Sequence, residues 1–119
     1  MLFKHFMREL LSKFCIRLVQ HQPNTSDEQV PQGCVSWIEY WKQHTEEDII
    51  SNSETYWCPS CGNDVEINDV VGAHVIDMDN TSYICPTCQD CNKKYQSTNA
   101  IENHFWVRQK LLVLNPHNR

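Results

Sequence analysis

Hydrophobic positions near the start of the chain recur at three- and four-residue spacing. Phe3, Phe6, Met7, Leu10, Leu11, Phe14, Cys15 and Leu18 form one broad apolar stripe, with basic residues mostly on the other face. This period predicts an amphipathic helix over residues 2–21 that covers a small core, seals a homodimer through residues 2–18, or docks on a partner or a membrane surface. Residues 22–35, with Pro23, Asn24, Pro31 and Gly33, read as a linker. Ser36 followed by Glu39 is a capping-box pattern and opens a short helix with Trp37, Ile38 and Trp41 on one face. Residues 45–55 are polar and predict a loop, with one helical turn at 46–50. β-rich runs at 70–76 and 82–84 flank a turn at 77–80 and predict a hairpin. A helix is expected over 92–99, and a closing hairpin from strands at 105–107 and 111–114. The domain reading is therefore 1–21, 22–35 and a module over 36–119.

Charge and cysteine content change this picture. The 119 residues carry 10 Lys and Arg against 15 Asp and Glu, a formal net charge of −5. An acidic chain argues against a protein whose whole surface grips phosphates. The first 21 residues are locally basic, however, and Lys93 and Lys94 form a second basic spot. No apolar run approaches the roughly 18 residues of a membrane span, and basic residues interrupt every early apolar stretch, so neither a span nor a secretory signal is expected. A cytoplasmic location follows, and there seven cysteines point to metal or redox chemistry rather than disulfides.

Cys58-Pro59-Ser60-Cys61-Gly62 and Cys88-Gln89-Asp90-Cys91 are two Cys-x-x-Cys pairs separated by 26 residues. A two-residue gap lets both sulfurs of one tight turn reach a single ion at about 2.3 Å, and two such turns complete a Zn²⁺ tetrahedron. Gly62 suits the left-handed residue that follows such a knuckle. Cys85 and Cys88 form an overlapping pair. Cys88 and Cys91 are preferred because Cys91 then lies near a helix start, while Cys85 ends a strand and points to the core. A thioredoxin-type redox pair wants a βαβ context that is not visible. A ferredoxin-type cluster wants a further cysteine where Tyr95 stands. His5, His21, His44, His104 and His117 lie in no ligand-like spacing and read as surface or structural.

Taken with Gly72-Ala73-His74-Val75 and Tyr83-Ile84-Cys85-Pro86-Thr87-Cys88-Gln89-Asp90-Cys91-Asn92, this pattern resembles the treble-clef zinc module of HNH endonucleases. In particular, it is similar to small bacterial and phage zinc proteins. The resemblance covers about residues 33–116. It implies an α+β fold, a treble-clef zinc finger with a ββα core and a flanking short helix, to which the periodicity of the first 21 residues adds an N-terminal amphipathic helix. It also implies a nucleic-acid partner and metal-dependent phosphodiester hydrolysis. In that scheme His74 is the general base, Asn80 orients it, and Asn92 helps to hold a second divalent ion such as Mg²⁺ or Mn²⁺. Ala73 departs from the pattern, since active members commonly carry Asp or His there, and a neutral Asn92 is a weak ligand for a hard cation. The alternative is a non-catalytic, zinc-stabilised protein-interaction adaptor.

Overall fold

The computed structural model describes residues 15–23, 25, 27–95 and 103–117. It is a mixed α+β fold built on an antiparallel sheet. The first element is a strand, β1 (Ile16–His21), not the end of a helix. Val19 and His21 are buried on one side at period two, whereas a helix would have turned them apart. β1 is hydrogen-bonded on both sides, so pairing with distant segments overrides the helical period read from the apolar stripe. The rest of the predicted helix, residues 2–14, lies outside the described residues.

Helix α1 (Trp37–His44) begins where the capping pattern places it, with the Ser36 hydroxyl accepting the Glu39 N–H at 3.2 Å. Its buried face is anchored by Trp41, which is fully buried and donates its indole N–H to the Leu111 carbonyl at 2.9 Å. No helical turn forms over 46–50; the Asp48 carboxylate instead accepts the N–H groups of Ile50 and Ser51, each at 3.0 Å.

Two hairpins follow. The first is short, β2 (Thr55–Trp57) with β3 (Asp64–Glu66), and holds the knuckle at its tip. The second is β4 (Val70–Asp77) with β5 (Ser82–Cys88), longer on its return strand than the pattern suggested. Asp77 closes its turn by accepting the N–H groups of Asp79 and Thr81, each at 2.9 Å, while Asn80 takes a left-handed φ of 64°. Helix α2 (Gln89–Lys94) begins directly after β5, three residues earlier than expected.

The closing strands exist but do not form the expected hairpin. β6 (His104–Arg108) pairs with β1, and β7 (Val113–Leu114) pairs with β5, giving the sheet order β6-β1-β4-β5-β7. A 3₁₀ turn at Gln109–Leu111 carries the chain between opposite edges. Trp41 and Tyr40 accompany it, holding the Leu111 and Leu114 carbonyls. Among the described residues, no helix is long and apolar enough to cross a membrane.

Candidate metal centre

The Cys58, Cys61, Cys88 and Cys91 sulfurs all lie within 4.8 Å of one another. Cys58 and Cys61 come from the tip of the β2–β3 hairpin, Cys88 from the end of β5 and Cys91 from α2. The turn at Cys58 is tight because the Gly62 N–H returns to the Cys58 carbonyl at 2.8 Å and Gly62 adopts φ 76°. Tyr56 fixes this hairpin to the sheet by donating its hydroxyl to the Pro86 carbonyl at 2.9 Å, and Cys88 caps α2.

These sulfurs fit a tetrahedral Zn²⁺. Ligands about 2.3 Å from one ion lie about 3.8 Å from each other, and Cys61 Sγ is 3.9 Å from Cys88 Sγ. A disulfide needs about 2.05 Å and is absent. Three of the thiols are buried and Cys61 is exposed. Burial pushes the Cys58 and Cys91 thiols up, so four thiolates gathered here require a cation to remain ionised. At Cys58 and Cys61 the local hydrogen bonds already favour that state. Cys58 Sγ accepts the Cys88 N–H at 3.3 Å, and although burial opposes ionisation of Cys61 too, the Asn63 N–H and neighbouring thiols bring its pKa below the ordinary value.

Cys85 stands apart. It is fully buried in the main core opposite Ala73, and burial drives its thiol strongly upward. Cys34 offers its thiol to Gln43 at 3.5 Å and, like Cys15, lies outside the cluster.

His74 occupies the middle of β4, paired with Ile84, and is only 7% exposed. Trp37 packs against its ring in a T-shaped arrangement, with centroids 4.7 Å apart. Its Nε2 approaches Glu28 Oε2 at 3.1 Å, but neither atom has a hydrogen-bond partner among the described residues, so the approach lacks hydrogen-bond alignment. Asn80 lies in the turn beyond Asp77, with the intervening strand spanning about 10 Å. Asn92 is half-buried on α2 beside Cys91. His21 and Val75 are register partners, so they share one face of the sheet and His74 points to the other. Glu28, inside the predicted linker, was not signalled as its neighbour by any spacing. Nor did sequence spacing single out His21, whose ring reaches Ser60 of the knuckle at 2.9 Å.

Burial lowers the pKa of both His21 and His74 to about 4, with His117 adding to the effect at His74. A histidine held neutral in the fold contributes stability that is full above its unfolded value near 6.5. That stability is lost as pH falls toward 4, because the unfolded chain then binds the proton. The loss is at most about 1.4 kcal/mol per pH unit for each histidine. His74→Gln is therefore expected to flatten the dependence of unfolding free energy on pH between 6.5 and 4.5 by about this amount. Urea titrations across that range measure it, and an unchanged slope would refute a buried neutral imidazole.

Compared with family models, curated proteins and solved structures, the chain matches none. The chemistry of the site thus rests on its own geometry: a four-cysteine cluster able to hold a metal ion.

Proposed function

We propose that this chain is a zinc-stapled, non-catalytic interaction module built on an HNH-like treble-clef plan. The observation that carries this reading is the convergence of four sulfurs from a knuckle, a strand end and a helix, all within 4.8 Å. The order knuckle, hairpin and helix supports the treble-clef plan. An ion bound there joins three short elements that have little core of their own, which is the role of a structural zinc. Ile16, Trp57 and Trp106, each more than half exposed, border an apolar groove of about 400 Å³ with Tyr56, Pro59 and Arg108, which supports a binding role.

A hydrolytic reading has one observation in its favour, the 3.1 Å approach of Glu28 to the His74 imidazole. Against it stand the burial of that ring against Trp37 and the fully buried Ala73 in the neighbouring position. A general base must reach water and its substrate, and a hard cation needs anionic oxygen beside it. Elemental analysis of the purified protein should give one zinc per chain. A supercoiled-DNA nicking assay with Mg²⁺ or Mn²⁺ should show no difference between the wild type and His74→Ala. Cleavage by the wild type that His74→Ala loses would overturn the non-catalytic reading.

A further inference from the structure

The apolar groove lies at the end of the sheet where β1 begins. Ile16 and Arg108 are register partners, so Ile16, Trp106 and Arg108 share one face of β1 and β6. Trp57 from the first hairpin and Ile49 from the loop after α1 complete the groove, whose volume is about 400 Å³. Ile16, Trp57 and Trp106 are each more than half exposed. Two tryptophans bared beside an isoleucine are a large apolar surface that water covers at a cost.

The chain reaches this groove from its own N-terminal side. Cys15 is fixed beside it, its carbonyl accepting the Gln109 N–H at 2.8 Å. Residues 1–14 run into that point with no spacer. At helical period Phe3, Phe6, Met7, Leu10, Leu11 and Phe14 make one stripe, and Ser12 lies opposite. A helix over residues 2–14 would reach about 20 Å. A helix this short is marginal in water unless a surface covers its apolar face. The groove is the nearest such surface, and a segment tethered this closely meets it at a roughly millimolar effective concentration.

Charge points the same way. Residues 1–14 carry Lys4, Arg8 and Lys13 against Glu9. The stretch 46–54, which supplies Ile49 to the groove, carries Glu46, Glu47, Asp48 and Glu54 and no basic residue. Arg108 and Lys110 pair with two of these, Glu47 at 3.6 Å and Glu46 at 3.7 Å, and an acidic excess is left beside the groove.

We propose that residues 2–14 of the same chain form a helix whose apolar stripe fills this groove, against Trp57 and Trp106. The inference rests on the interaction reading above and deepens it by naming the segment that the groove takes. The module then covers its own binding face, and any outside partner has to compete with the tethered helix.

The test uses the full-length protein. A ¹³C,¹⁵N-labelled sample is diluted into a large excess of unlabelled protein, so that cross-peaks between labelled groups report contacts within one chain. Nuclear Overhauser cross-peaks are expected from the Trp57 or Trp106 indole to the methyl groups of Leu10 or Leu11, a reading that needs no variant to fold. Leu10→Asp should lose them. Ser12→Asp, which adds the same charge on the opposite face, should keep them. Cross-peaks that vanish on dilution would assign the groove to a second copy, and their absence before dilution would leave it open; either result overturns the proposal. Zinc content of the same sample separates the two readings. One zinc per chain without the cross-peaks overturns the docking alone, whereas cross-peaks without zinc keep the docking and remove the staple.

Discussion

Replacing Cys58 or Cys91 with serine is expected to abolish zinc binding and leave the chain largely unfolded, whereas Cys85→Ser should retain one zinc per chain. The three sites differ in position, not in residue type. Cys58 and Cys91 belong to the cluster whose sulfurs converge within 4.8 Å, and Cys85 faces the main core from the middle of β5. Structural zinc contributes on the order of 10–16 kcal/mol of apparent free energy in small zinc modules, as large as the whole stability of an ordinary domain, about 5–15 kcal/mol. Loss of one ligand therefore reaches the limit of what the sheet can absorb. Cys85→Ser places a hydroxyl in an apolar site and should cost only about 1–3 kcal/mol. Elemental analysis with circular dichroism before and after a strong chelator reads both effects. Loss of zinc from Cys85→Ser would refute the ligand set.

Gly72→Ala should be the most damaging single-methyl substitution in the sheet. A Cβ at Gly72 would lie 2.5 Å from the Trp37 carbonyl carbon, 2.7 Å from the Ile38 nitrogen and 2.8 Å from the Trp37 oxygen. Non-bonded carbons prefer about 3.5–4.0 Å, and these neighbours are backbone atoms that no rotamer change can move. Helix α1 must withdraw from β4, which loosens Trp41 and its bond to Leu111. The cost is expected at or above the upper end of the roughly 1–3 kcal/mol typical of overpacking. Urea unfolding with zinc held saturating measures it. A loss below about 0.5 kcal/mol, the size of an ordinary surface substitution, would show that the helix does not sit where this contact places it.

Local chemistry was readable in advance, and pairing between distant segments was not. Ser36 and Glu39 specify the start of α1 through one hydrogen bond between residues three apart, so their spacing is sufficient. The cysteine pairs are similar, because the knuckle geometry is contained within five residues. The β4–β5 turn follows from Asp77 and Asn80, which bond or bend their own neighbourhood. β1 is different. Ile16, Leu18 and Val19 fit both a strand and the tail of a helix, and the choice is made by residues 75–77 and 104–108. β6 and β7 were legible as strands, but their short separation suggested a hairpin that the Gln109–Leu111 turn prevents. At the candidate metal centre the spacing pointed to the four clustered cysteines and missed the contact beside them, because His21 meets Ser60 only after β1 takes its place in the sheet.

That placement has a consequence for how the chain is made. Ile16 pairs with Arg108, 92 positions later, so β1 leaves the ribosome long before one of its two flanking strands exists. At roughly 5–20 residues per second, several seconds of synthesis separate them. The knuckle, the β4–β5 hairpin and α2 are contiguous and can bring the four cysteines together during that interval. β1 cannot be hydrogen-bonded along both edges until residue 108 has emerged, so this strand is fully enclosed only after segments that follow it in the chain.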